Sequence, residues 1–314
     1  MLGRLLTLAV LLAMGCKAHA EAPDHEPAQW LKKMAEARQT VDYRGAFTYE
    51  HRNVMESFRV FHWVEDGQVH EHLEALDGPE DAARSLTDPS GCHTVGYRLL
   101  STSSPEQVGR IERFYQLKLR GASRVAGRNV QMLEVRPRDE LRYGYLLALD
   151  KETGLLLKSL LIDEHQRLLE RFQFVELSFD PDVSTLRAQA RSGDKVECLA
   201  EEGAQPSHWQ LEWLPPGFEF SGQTHLKPGL DMLMYTDGLA SFSVFLEPLD
   251  AGPSVEGRAQ RGAISAYMGQ LLVNEQPYRV TVVGEVPGIV AERLARSLQV
   301  GVEAPDELQE QARQ

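Results

Sequence analysis

The chain has 314 residues, with 33 lysines and arginines against 46 aspartates and glutamates, a net charge of −13. That balance lacks the basic face that phosphate neutralisation requires, which argues against nucleic acid as a partner. A hydrophobic content of 42% and a mean hydropathy of −0.33 argue against a disordered chain and against a polytopic membrane protein. The length accommodates about two domains.

Residues 1–20 (MLGRLLTLAVLLAMGCKAHA) read as a secretory leader. Arg4 supplies the positive start, residues 5–14 are a short apolar run, and Ala18-His19-Ala20 is a cleavage site. Loss of Arg4 and Lys17 with the leader leaves 31 basic residues against 46 acids, a mature charge of −15. The expected address is the periplasm of a Gram-negative host. A rival reading takes Ala13-Met14-Gly15-Cys16 as a lipobox with Cys16 lipidated, although Ala13 stands where leucine is usual. Cys92 and Cys198 remain after cleavage, and in an oxidising compartment an even pair is the candidate for one disulfide.

The apolar positions Trp30, Leu31, Met34 and Ala37 predict an amphipathic helix over 27–40. The period then switches to two. Strands are expected over 43–50, 57–65 and 68–76, the last two joined by Asp66-Gly67, a strong hairpin signal. Pairing across that turn sets His70 opposite Trp63 and His72 opposite Phe61. A short helix is expected over 104–111, then strands over 114–120, 129–136, 141–150, 155–162 and 167–179. Many short strands with short turns describe a mainly β, α+β chain. Its large unit, residues 21–180, is expected to be a half-open antiparallel β-barrel covered by a helix. Residues 181–208 read as a linker. A smaller α+β unit follows over 209–301, with strands over 232–236, 240–247, 264–273 and 278–285. Its closing helix, over 287–298, is expected to turn Ile289, Leu294 and Leu298 inward. Residues 302–314 read as a frayed tail.

Chemistry is nearly absent. The chain carries no P-loop, no G-x-G-x-x-G, no G-x-S-x-G and no H-E-x-x-H, so no enzyme activity and no cofactor are expected. His70 and His72 share a strand face as zinc ligands can. That face is aromatic and lacks a third ligand, so no metal is expected and packing against the rings is the better reading. Trp30 and Met34 on the helix, with Phe47, Tyr49, Phe61 and Trp63 on the strands, are the candidates to line an apolar cavity for a lipid chain. Each also suits an ordinary filled core.

Several strings carry a resemblance. In the first unit they are residues 124–128 (RVAGR), 135–139 (VRPRD), 142–145 (RYGY), 149–160 (LDKETGLLLKSL) and 168–174 (LLERFQF). In the second they are 213–218 (WLPPGF), 235–244 (YTDGLASFSV) and 280–287 (VTVVGEVP). In this order they resemble the MucB/RseB family of periplasmic regulators of an envelope-stress sigma factor. The resemblance implies a large domain similar to the lipoprotein carriers LolA and LolB, with a smaller C-terminal domain. It implies binding to the periplasmic segment of a MucA/RseA-like anti-sigma factor, which shields that segment from site-1 proteolysis. Lipopolysaccharide or another lipid would release it, and in alginate-producing pseudomonads the pathway represses exopolysaccharide synthesis. Self-association is left open. Tyr235 and Phe242, in the string at 235–244, are the candidates for partner contact. The acidic chain suggests a basic or amphipathic partner peptide. The alternative reading is a periplasmic lipid or lipoprotein carrier.

Overall fold

A computed structural model describes residues 26–51, 54–78, 108–179, 181–185, 209–227, 229–249, 255–273 and 275–300. The expected leader, both candidate disulfide cysteines, nearly all of the expected linker and the expected tail lie outside the described residues.

The first unit is one open sheet. Its strands are β1 (Tyr43–His51), β2 (Val54–Glu65), β3 (Gln68–Ala75), β4 (Tyr115–Val125), β5 (Arg128–Pro137), β6 (Gly144–Asp150), β7 (Leu156–Ile162) and β8 (Leu168–Phe179). They pair antiparallel in the order β3-β2-β1-β8-β7-β6-β5-β4, so β1 against β8 joins the first three strands to the last five. β3 and β4 are the two ends and do not pair with each other, so the sheet is not closed. Asp66 (φ 53°) and Gly67 (φ 75°) are both left-handed, the conformation that a two-residue type I′ hairpin requires. The register sets Trp63 opposite His70 and Phe61 opposite His72.

Helix α1 (Pro27–Thr40) begins with Pro27, whose missing N–H would have had no partner there. It buries Trp30, Leu31, Met34 and Ala37 against Phe47, Phe58 and Phe174 of the sheet. Helix α2 (Val108–Phe114) packs beside α1 and leads directly into β4.

The second unit is a six-stranded antiparallel sheet. It holds β10 (Glu219–Lys227), β11 (Leu230–Thr236), β12 (Ser241–Pro248), β13 (Gly257–Arg261), β14 (Ile264–Val273) and β15 (Gln276–Gly284). Their order is β10-β11-β12-β15-β14-β13. Helix α3 (Gly288–Arg296) covers one face, and β9 (Trp209–Leu211) pairs with β16 (Leu298–Val300) beside it. One expectation needs correction. Ile289 is 64% exposed, and the buried side chains of α3 are Val290, Ala291, Leu294 and Ala295. At 100° per residue, Ile289 lies about 140° around the helix from Leu294, so the two cannot share the inward stripe. The outward Ile289 borders a cleft described below.

Candidate functional site

Two hairpin tips of the small sheet are driven into the large unit. Leu239, in the β11–β12 turn, and Ala263, in the β13–β14 turn, are 2% and 0% exposed and belong to the first unit's apolar cluster. Around them the junction is polar and hydrogen-bonded. The Ala263 N–H donates to the Glu170 carboxylate at 3.3 Å. The Tyr145 hydroxyl donates to the Leu239 carbonyl and the Tyr143 hydroxyl to the Val286 carbonyl, each at 3.3 Å.

Arg142 is the centre. Its side chain is 0% exposed, as is that of Asp237 from the other unit. Arg142 Nη1 donates to Asp237 Oδ2 at 2.6 Å, Nη2 donates to the Pro216 carbonyl at 2.6 Å, and Nε and Nη2 form a fork onto Asp139. The Tyr115 hydroxyl donates to Asp237 Oδ2 at 2.8 Å, while Asp237 Oδ1 accepts the N–H groups of Leu239 and Ala240. The guanidinium sits 5.3–5.4 Å from the ring centres of Phe114, Tyr115 and Phe218. Burial alone would lower its pKa, but Tyr115, Asp237 and Asp139 outweigh that and hold it above the usual arginine value. Burial, then the adjacent Asp237 carboxylate, pushes the Tyr115 hydroxyl far above the ordinary tyrosine range. Both groups therefore keep their protons, as their hydrogen bonds require.

Beside this junction run two clefts lined by both units. One, of about 360 Å³, is bordered by Glu50, His51, Arg167, Leu168, Leu169, Gln260 and Gly262. The other, of about 290 Å³, lies between Tyr143, Asp163, Glu164 and Arg167 on one side and Arg258, Ala259, Gln260, Pro287, Gly288 and Ile289 on the other. Arg167 and Gln260 border both, so the two adjoin along the boundary.

The sequence-derived candidates lie elsewhere. Trp30, Met34, Phe47 and Tyr49 are 0–8% exposed within the packed core of the first unit. Phe47 touches the rings of Phe58, Phe172 and Phe174 at centroid distances of 4.9–5.9 Å. Phe61 and Trp63 do not join them. Phe47 opposes Phe58, so the even-numbered residues of β2 face α1, and Phe61 and Trp63 point to the other face. There Trp63 stacks on His70, with centroids 5.3 Å apart and planes at 12°. The six residues thus do not line one space. Tyr49 contributes to the junction instead: burial, then the neighbouring Glu170 carboxylate, raise its pKa far above the ordinary tyrosine value. Tyr235 and Phe242 are 5% and 1% exposed and stack on each other at 5.1 Å in the core of the small unit. Among the described residues no three His, Cys, Asp or Glu side chains gather as a metal-ligand group.

The strings noted in the sequence therefore meet at the junction: residues 142–145 touch residues 235–244 through Arg142–Asp237 and Tyr145–Leu239. Comparison with known proteins agrees with them. The models of the MucB/RseB N-terminal domain and the MucB/RseB C-terminal domain match residues 26–192 and 203–299. The chain belongs to the MucB/RseB family. It is 38% identical over 309 residues to the sigma factor AlgU regulatory protein MucB of Pseudomonas aeruginosa, covering 94% of this chain and 96% of that protein. It is 27% identical over 310 residues to the sigma-E factor regulatory protein RseB of Haemophilus influenzae, covering 93% and 96%. Among solved structures, the MucA/MucB complex of Pseudomonas aeruginosa superposes with a TM-score of 0.70 at 35% identity, over 88% of this chain and all of that one. A crystal structure of MucB with MucA(peri) gives 0.68. In this MucB/RseB chain, what sequence reasoning missed was the residues of the boundary. Arg142 and Asp237 lie 95 positions apart, and nothing local to either marks the other.

Proposed function

We propose that this chain is a periplasmic regulator that binds the periplasmic segment of a transmembrane anti-sigma factor and so restrains an envelope-stress sigma factor. The observation that carries this reading is similarity over nearly the whole length to a sigma-factor regulator, extending to a structure of such a regulator with MucA. The geometry supports it. A protease must take its substrate as an extended strand in its own cleft. A segment held in a groove on another protein is not available for that. Each of the two clefts is bordered by both units, so a ligand held in either senses their relative position.

The release step is part of the proposal. A lipid shifts the equilibrium only if it binds the free regulator more strongly than the complex. Two mutually exclusive or coupled ligands then weaken each other by the same factor. The test is calorimetric titration of the chain from Glu21 onward with the periplasmic segment of the host's anti-sigma factor, with and without lipopolysaccharide. Saturable binding weakened by the lipid is expected. Binding indifferent to lipid would retain the regulator and discard the switch. Absence of binding to the segment, with lipid still bound, would replace the regulator with a carrier.

A further inference from the structure

One titratable ring lies under the end of α1, buried and half satisfied. His62 is an even-numbered residue of β2, so it faces α1, and it is 0% exposed. Its Nδ1 lies 3.0 Å from the carbonyl oxygen of Val41, the residue that ends α1. A carbonyl only accepts, so Nδ1 carries the proton of the neutral ring and Nε2 is a bare lone pair. Among the described residues Nε2 has no hydrogen-bond partner. Glu71 Oε1 of β3 lies 3.7 Å from it and is itself an acceptor.

Every element packed around the ring bears on a proton arriving at Nε2. From α1 comes Arg38, which approaches Glu71 only to 3.9 Å and whose Nε is buried without a hydrogen-bond partner. From the link into β1 comes Asp42, whose Oδ1 accepts the Val64 N–H at 2.8 Å. From β1 comes Tyr43, stacked on the ring at 4.7 Å. From β3 comes Glu71. The two carboxylates attract the added charge, while burial and Arg38 oppose it. Burial and Arg38 win, and hold the folded ring at about 4 against an ordinary 6.5.

These elements do not hold equally. β2 is laddered to β1 and to β3 along its length. α1 joins no ladder and has no side-chain cap at its start; the packing of its apolar stripe holds it. While α1 is docked, Trp30, Leu31 and Met34 fill the space over Phe47, Phe58 and Phe174. α1 is therefore the element that gives way when the site takes a proton.

We propose that protonation of His62 releases α1 from the sheet and uncovers the apolar face of Phe47, Phe58 and Phe174 to an alkyl chain. In the released form the ring meets water and binds the proton at its ordinary value, so acid stabilises each opening. The device rests on the geometry around His62 and holds whether or not the anti-sigma segment binds.

The experiment is hydrogen exchange of the chain from Glu21 onward at pH 7 and pH 5, corrected for the intrinsic effect of pH. Both values lie above the ordinary carboxylate range. With the ring at about 4 when closed and 6.5 when open, opening of α1 should rise about twentyfold over this interval, while the amides of β6 and β7 stay protected. Dodecylphosphocholine below its micelle concentration, whose charge is constant here, should bind about twentyfold more tightly at pH 5. His62→Gln should abolish both changes. Arg38→Met should shrink them, because the closed ring then binds its proton more readily. Nuclear magnetic resonance of the wild type gives a reading that needs no variant to fold. If the His62 ring titrates near its ordinary value while α1 stays protected, the closed fold accepts the proton through Glu71 and the switch is refuted. The proposal also falls if α1 keeps its protection at pH 5, or if β6 and β7 lose theirs in step with it. It falls equally if either variant keeps the wild-type response, or if α1 opens and dodecylphosphocholine binding does not change.

Discussion

Replacing Asp237 by asparagine removes one charge from the place where the two units meet. The carbonyl oxygen of the introduced side-chain amide still accepts from Leu239 and Ala240. Its NH2 group then faces Arg142 Nη1, donor against donor, where the carboxylate accepted at 2.6 Å, while the Tyr115 hydroxyl, which donated to the carboxylate at 2.8 Å, must turn to accept from it. Arg142 keeps Asp139 and the Pro216 carbonyl, so the guanidinium is not stripped of partners. Its side chain is 0% exposed, so solvent does not replace the lost bond. Breaking one side of a buried ion pair costs about 3–5 kcal/mol, and the surviving Asp139 places this case near about 3. Arg142→Met leaves Asp237 with three donors and should cost about 2 kcal/mol. The double variant leaves neither an orphan cation nor a misplaced donor against it. It should be less destabilised than the sum of the singles by about 2 kcal/mol. Urea denaturation followed by tryptophan fluorescence measures all four proteins, with small-angle scattering to detect separation of the units. A loss below about 1 kcal/mol for Asp237→Asn, or strict additivity, would refute the view that this pair fastens the junction.

Other consequences are as direct. His62 is fully buried, stacked on Tyr43 at 4.7 Å, with Nδ1 3.0 Å from the Val41 carbonyl oxygen. Burial, then Arg38, hold its pKa down to about 4 from 6.5. The unfolded chain therefore takes the proton first, and stability falls as pH drops from 6.5 through 4. The loss reaches about 3 kcal/mol below that range, and His62→Gln should flatten this slope in denaturation curves taken across it. Gly284→Ala would place a Cβ 2.5 Å from Phe242 Cα and from the Ser241 carbonyl oxygen, both backbone atoms that cannot rotate away. It should destabilise the small unit by about 2–3 kcal/mol in a thermal melt. Met34→Ala, at a site with 0% exposure, should cost about 3 kcal/mol if the core is filled there. A near-neutral result would indicate that the side chain lines a space for a ligand instead.

Much of the first unit was legible because its signals are local. The helix 27–40 agrees with its predicted ends, since an apolar stripe, Pro27 and the switch to period two are all written within one segment. The Asp66-Gly67 turn and the pairing of His70 with Trp63 followed from one dipeptide and an alternation. Strand β6 begins at Gly144 and not at Leu141, because the Leu141 N–H and Arg142 turn onto Asp139 and leave the ladder for the junction. β13 has no counterpart among the strands expected from the sequence. With both faces and one edge exposed, GRAQR carries no apolar alternation to betray a strand.

By itself the sequence determined the class of fold and the family, because hydrophobic period, turn chemistry and strings in order are properties of neighbouring residues. Only the tertiary structure decided which aromatic residues share a face, because each β2 position is assigned inward or outward by its register with β1. Only it brought Arg142 to Asp237, Ala263 to Glu170 and Ile289 to the mouth of a cleft. Those pairings join elements whose separate patterns are complete without one another, and the low dielectric of a buried boundary, absent from any single segment, makes them matter.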